Sequence, residues 1–325
     1  MLGSRHRALP ALLAGLLALG SALWFVGGWF LGGPLPKDTA FIVPDGASLG
    51  TVAAKLETSG AIRSAALFRI RARVFGGGAP IRAGEFLLPK GASASRILTV
   101  IQGDEVLRWF VTVPEGMPSI MVYDRLMGHT QLTGAIEVPP EGSILPDTYE
   151  IQKGEARAAV VLRMQAAMQR TLAELWAARG PNIAVKTPQE ALALAAIVEK
   201  ETGKPEERKI VAGLYSNRLR QGIMLQADPT IIYPITKGKP LGRRIRQSEI
   251  QAVNAYNTYS MVGLPKGPIT NPGRASIEAV LHPAETNALY MVADGTGGHQ
   301  FAATLQDHNA NVERWYTIRK ARGDF

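Results

Sequence analysis

The stretch TPQEALALAAIVEKETG, from Thr187 to Gly203, constrains this chain more than any other. Every residue from Ala191 to Val198 is apolar, so a helix there has no polar face and must be packed on all sides. Its start is well specified. Thr187 with Glu190 three positions on forms a capping-box pattern, and Pro188 occupies the first helical position, where its missing N–H costs nothing. Gly203, with Pro205 beyond it, is the expected stop. Just before that stop the apolar run gives way to Glu199, Lys200 and Glu201. A carboxyl at the end of a core helix is pushed toward its protonated form, which suits a general acid near neutral pH. Glu199 continues the row Leu192, Ala195, Ala196, whereas Glu201 points roughly 200° away, so only one of the two can face a given cleft. Taken alone, two glutamates at a helix end are more often solvated charges.

The chain has 325 residues, 46% of them hydrophobic, enough for two domains. Between Ala8 and Leu31 lies no charged residue, a span of about 24 positions, long enough to cross a bilayer. Arg5, His6 and Arg7 precede it and Lys37 and Asp38 cancel behind it, so the positive-inside rule places the N-terminus in the cytoplasm and the rest across the membrane. A cleaved signal peptide would have a shorter apolar core, and a retained anchor is the expectation. Cysteine is absent, so no disulfide framework is expected in the far compartment. The net charge of +9 would ordinarily suggest nucleic acid. No recognition module accompanies it, and the densest basic cluster is only Arg243, Arg244 and Arg246; no nucleic acid partner is expected.

After the Gly/Pro linker at Gly32 to Pro36, one pattern recurs three times: FIVPDGAS from Phe41, FLLPKGAS from Phe86 and FVTVPEGMP from Phe110. Each is a β-type run, then Pro-x-Gly, then an amphipathic segment, which reads as strand–turn–helix units in a small α/β module or modules. Gly46, Ser48 and Gly50 satisfy the G-x-S-x-G nucleophile elbow. The serine recurs at Ser93 without the last glycine and becomes Pro118 in the third copy, as expected of a helix cap and not of a nucleophile.

Further on, periodicity predicts a long helix from about Glu155 to Ala178, the Thr187 helix, and another from about Glu206 to Arg220. A β-hairpin is expected around Asp294–Gly298, between ALYMVA and HQFAAT. Beyond residue 215 the polar residues become Asn, Gln, Asp, Thr, Tyr and Arg in turn-rich sequence. Asn254, Tyr256, Asn257, Thr258 and Tyr259 form one tight cluster. Amides that meet hydroxyls and rings that stack on sugar faces suit a carbohydrate substrate. The five histidines show no HExxH pairing or zinc spacing, and neither a Walker A nor a dinucleotide fingerprint is present, so no metal and no cofactor is expected. His299 and His308 read as structural hydrogen-bonding residues.

The motifs IVEKET, NRL, QADPTIIY, AYNTY, GLPKGPITNPG, AVLHP and VADGTGGHQF, with His308-Asn309 following, resemble the endolytic murein transglycosylases of the YceG-like family, nearly continuously from about Glu141 to Trp315. The resemblance implies an α+β chain in three parts: a cytoplasmic tip, transmembrane anchor and linker at 1–36, a LysM-like α/β module at 37–112, and a mainly helical catalytic domain with a short hairpin at 113–325. It implies a single-pass protein of the bacterial inner membrane whose periplasmic part cuts glycan strands of nascent peptidoglycan, with peptidoglycan synthases as partners it allows. On matching positions the family's catalytic glutamate is Glu199. Asn217, Gln226, Asp228, Thr230, Tyr256, Asn257, Thr258 and Tyr259 are the candidate substrate-binding residues. Such an enzyme needs one carboxyl, which protonates the glycosidic oxygen and then serves as base on the C6 hydroxyl of the same MurNAc to close a 1,6-anhydro ring. The rival readings are a hydrolase with Asp228 as second carboxylate, a non-catalytic membrane-tethered peptidoglycan-binding scaffold, and a serine hydrolase at Ser48.

Overall fold

The computed structural model describes residues 5–323, with side chains from Leu12 onward. Residues 1–4, the side chains of Arg5, His6 and Arg7 on which the expected orientation rests, and residues 324–325 lie outside the described residues. The chain mixes helix and sheet and divides into two units, Met1–Trp109 and Phe110–Phe325.

The first unit begins with helix α1 (Arg5–Phe30), whose stretch Leu12–Phe30 is long and apolar enough to span a membrane. There follow β1 (Thr39–Val43), α2 (Leu49–Thr58), α3 (Ala65–Phe75), β2 (Gly84–Leu88), α4 (Ala94–Gln102) and β3 (Val106–Leu107), the strands forming an antiparallel sheet in the order β1-β2-β3. Alternation sets the register: Phe41 opposes Phe86, and both point inward with Val43 and Leu88, while Ile42 and Leu87 face out. The recurring Pro-x-Gly has a backbone cause. Gly46, Gly91 and Gly116 all sit in the left-handed region, at φ 67°, 65° and 70°, where a side chain is strained. Ser48 and Ser93 accept the N–H of Thr51 and Arg96 as helix N-caps, and Pro118 stands at the same position without a side-chain bond. Ser48 is thus spent on a cap.

The second unit contains β4 (Trp109–Thr112), α5 (Ser119–Gly128), β5 (Thr148–Ile151) paired with β4, α6 (Arg157–Ala177), α7 (Pro188–Glu201), a single 3-10 turn at Pro205–Glu207, α8 (Arg208–Arg220), α9 (Asp228–Thr236), α10 (Gln247–Ile250), α11 (Arg274–Leu281), the hairpin β6 (Tyr290–Ala293) and β7 (His299–Ala302), and α12 (Leu305–Arg322). Helix α7 is the axis on which α6, α8, α9 and α11 pack. Ala191 and every residue from Ala193 to Val198 are buried, Leu194, Ile197 and Val198 completely, each contributing about 1.5–3 kcal/mol.

The ends of α7 differ slightly from expectation. Thr187 accepts the Glu190 N–H as the box requires, but the Glu190 carboxylate reaches one residue further back, to the Lys186 N–H. Gly203 does not stop the helix. Thr202 turns extended at φ −134°, donates its hydroxyl to Glu207 and accepts the Lys204 N–H, so a threonine network ends α7.

Candidate functional site

The two glutamates of α7 part company at its last turn. Glu199 Oε2 accepts the N–H of Gly273, the residue capping α11, at 2.9 Å, and Oε1 stands 3.8 Å from Arg208 Nη2. Arg208 Nη2 also pairs with Glu115 at 2.9 Å. With its side chain 5% exposed, Glu199 is a cross-tie between α7, α8, α11 and the loop at Glu115. A carboxylate at a helix N-terminus is electrostatically favourable there, and here one oxygen is hydrogen-bonded while the other faces the Arg208 guanidinium. It does not line the polar cleft described next.

Glu201 does. It opens onto a cleft of about 350 Å³ with Tyr215 and Arg218 of α8, Gln226, Asp228, Tyr259, Met291 to Ala293 of β6, His299 of β7 and His308 of α12. Its Oε1 is buried without a hydrogen-bond partner. Burial first, and the charge of Asp228 second, push its carboxyl up to about 7, against the pull of the Tyr215 hydroxyl and Arg218. Near neutral pH this group is divided between acid and base.

The surroundings are rigid. Arg218 donates Nε–H to Leu289 O at 2.6 Å and Nη1–H to Met224 O and Leu225 O at 3.0 and 2.9 Å, so α8 fixes both the hairpin approach and the loop before α9. Nη1 also lies 3.3 Å from Gln226 Oε1. Gln226 sits at φ 54°, a conformation costly for any residue with a side chain, and is held there by its N–H to Thr258 O and by the neighbouring Ala227 N–H to Thr258 Oγ1. The Tyr259 hydroxyl donates to Asp228 Oδ1 at 2.6 Å. His299 carries a structural bond, its N–H and ring Nδ1 both meeting Glu207 at 2.8 Å. Burial alone would raise the Glu207 carboxyl, but the bonds from His299 and Thr202 bring it below its ordinary value. His308 differs from expectation. Its Nδ1 has no partner, its ring stacks on Tyr290 at 5.2 Å, and burial with Arg218 lowers its pKa.

Of the sequence-derived substrate-binding candidates, the cleft brings together Gln226, Asp228 and Tyr259. The other five stand elsewhere for identifiable reasons. Asn217 donates to Thr286 O and Ala288 O. Asn257 is fully buried, its amide donating to Glu249 O, Ile250 O and Ala252 O. Thr230 and Thr258 are fully buried and bond each other at 2.8 Å, stapling the Gln226 loop. Tyr256 packs on Tyr233 at 4.8 Å. Residue reasoning missed Tyr215 and Arg218, whose α8 segment reads as an ordinary amphipathic helix, and treated Glu201 only as the alternative to Glu199.

The family model described as the YceG-like family matches residues 41–314. The endolytic murein transglycosylase of Bacillus subtilis (strain 168) is 25% identical, with 91% of this chain and 92% of that protein aligned. That of Streptococcus pneumoniae serotype 2 (strain D39 / NCTC 7466) is 27% identical over 83% of this chain, which spans 57% of that longer protein. A crystal structure of a YceG-like protein from Listeria monocytogenes superposes with a TM-score of 0.53 at 22% identity, covering 84% of this chain and 98% of that one, a likeness of fold.

Proposed function

Because the chain belongs to the YceG-like family, we propose that it is an endolytic lytic transglycosylase of peptidoglycan, with Glu201 as its acid and base. The names of its relatives support the reaction class and the substrate. One observation carries the residue assignment: Glu201 lines the polar cleft with an unspent oxygen and a pKa near 7, whereas Glu199 stands outside that cleft, tied to the Gly273 N–H and facing Arg208.

In this reading the Glu201 carboxylic acid donates its proton to the glycosidic oxygen between MurNAc and GlcNAc as the C1–O bond breaks. The positive charge that develops at the sugar is balanced by the Glu201 carboxylate just formed and by Asp228, which the Tyr259 hydroxyl orients through a hydrogen bond. The carboxylate then takes the proton of the C6 hydroxyl of the same MurNAc. That oxygen closes on C1, giving a 1,6-anhydro end and restoring the acid without consuming water. Asp228 serves twice, since the same charge keeps Glu201 protonated beforehand. Gln226 offers an amide to sugar hydroxyls from its strained position. Thr230 and Thr258 position that loop.

The anchor reading gains support from Trp29, which is 2% exposed and packs on Phe68 and Phe75, and from Leu35, also buried in the first unit. Cleavage beyond Trp29 or Leu35 would strip these side chains from that core. We place the chain in the inner membrane with its catalytic part periplasmic, acting on strands still being made beside their synthases, so that cleavage ends their elongation. The order β1–α2–α3–β2 supports reading the first unit's module as LysM-like.

The test is mass spectrometry of products from uncrosslinked glycan strands digested by the full chain in detergent, beside Glu201→Gln and Glu199→Gln. The expected result is 1,6-anhydro-MurNAc ends from wild type, none from Glu201→Gln, and continued cleavage by Glu199→Gln. Reducing ends would make the enzyme a hydrolase, and an inactive Glu199→Gln beside an active Glu201→Gln would return the acid to Glu199.

A further inference from the structure

The first unit holds a cavity of about 420 Å³ between the outer end of α1 and the start of α3. One side is apolar, formed by Leu23, Trp24 and Leu31, all strongly exposed. The other is cationic, formed by Arg63, Ser64 and Arg71.

Arg71 is the unusual group. It is 8% exposed, its Nη1 donates to Gly28 O at 3.1 Å and its Nη2 to Trp24 O at 3.3 Å, and it lies over the rings of Trp24 and Phe25. Its Nε is buried with no acceptor. The carbonyls it meets bear no net charge, and among the described residues no acidic side chain lines the cavity. A buried cation without a counter-anion is costly, which makes this an unfilled place for an anion. Ser64 is the N-cap of α3, an 11-residue helix, so the positive end of its dipole adds to the two guanidinium groups. The arrangement is built into the backbone. A Cβ on Gly28 would lie 2.2 Å from Arg71 Nη2, and one on Gly33 2.2 Å from Ala92 O, so both glycines are required by close approach.

The cavity is level with the end of the membrane-spanning stretch, which finishes at Phe30, in the zone where the exposed Trp24 matches the aromatic belt of a bilayer interface. Here apolar chains lie beside phosphate groups. We propose that this cavity binds the phosphate headgroup of an anionic phospholipid of the outer leaflet, with Arg71 and Arg63 on the phosphate and the acyl chains along Leu23 and Leu31. The proposal rests on the reading of α1 as a retained anchor. It gives the first unit a fixed seat on the membrane in place of a loose tether.

The test is native mass spectrometry of the full chain in detergent, titrated with phosphatidylglycerol, with phosphatidylcholine, or with inorganic phosphate alone. One phosphatidylglycerol should be retained per chain in preference to phosphatidylcholine, and R71Q should weaken that retention roughly tenfold. Because Arg71 also supports α1, R63Q is the second variant. Arg63 is exposed, so its loss should weaken retention about threefold with melting unchanged. Equal retention of both lipids, retention unaffected by either substitution, or displacement by millimolar inorganic phosphate would overturn the lipid site while leaving anchor and transglycosylase readings standing. A chain recovered soluble from cells, beginning beyond residue 30, would overturn the anchor and this site together.

Discussion

Replacing Glu201 by glutamine should abolish cleavage and stabilise the protein, but only at alkaline pH. In the native state this carboxyl titrates near pH 7, and in the unfolded chain near its ordinary 4.5. Between those values the native state keeps a proton that the unfolded chain has released, so native stability falls as pH rises through that window. The difference is worth about 3 kcal/mol once pH exceeds 7. Glutamine has the same shape and no charge at any pH, so it avoids the cost of an ionised group beside Asp228. The amide meets the Tyr215 hydroxyl less favourably than a carboxylate does, which leaves a net gain of about 2 kcal/mol. For a unit the size of Phe110–Phe325 that is a rise of about 4–8 °C in Tm at pH 8, shrinking to nothing at pH 4.5. The assay is thermal melting of the full chain in detergent at both pH values, beside product analysis. No rise at pH 8, or the same rise at both, would mean that Glu201 ionises like a surface carboxylate, and the acid–base assignment would lose its physical basis.

Asp228→Asn removes the charge that helps hold Glu201 protonated, so the alkaline limb of the kcat/KM profile should move to lower pH by roughly one unit, read from a pH series on glycan strands. Gln226→Gly relieves a left-handed side-chain position, so Tm should hold or rise by a few degrees while KM increases from loss of the cleft amide; a fall in Tm would contradict the strain. Thr258→Val deletes the buried hydroxyl that serves Ala227 and Thr230, and should cost about 1–3 kcal/mol in denaturant unfolding, with activity falling through disorder of the Gln226 loop. Glu199→Ala strands the Gly273 N–H and should destabilise by about 1–3 kcal/mol while the folded fraction retains its kcat, a pattern opposite to that of Glu201→Gln.

Local rules carried much of the fold. The helices at Arg157–Ala177 and Pro188–Glu201 and the hairpin at Tyr290–Ala302 lie where periodicity, capping and turn chemistry put them, because each of those signals is satisfied within a few residues. Two features were illegible. The termination of α7 by Thr202 depends on Glu207, which is fixed in turn by His299 far downstream. The need for glycine at position 28 comes from Arg71, which no helix-local argument reaches; glycines in such a segment read only as tolerated.

The site was half legible for a related reason. Helical geometry established that Glu199 and Glu201 face opposite ways, but every row of α7 is interior, so membership of an apolar row could not say which way the cleft lies. That direction is set by β6, β7 and α12, about a hundred residues later. Residue type misled likewise around Asn257 and Thr258. Side chains able to bind sugar hydroxyls are the same ones that satisfy buried loop carbonyls, and a chain that turns as often as this one has many carbonyls to satisfy. What separates the two uses is unspent capacity. Asn257 gives its amide to three backbone carbonyls and its oxygen to the Tyr259 N–H, leaving nothing for a ligand. Glu201 keeps one oxygen unbonded in the cleft, and Arg71 keeps one N–H unbonded at the membrane end of the first unit. Buried unspent capacity is thus common to the proposed acid at Glu201 and the proposed lipid site at Arg71, and the two stand on independent tests.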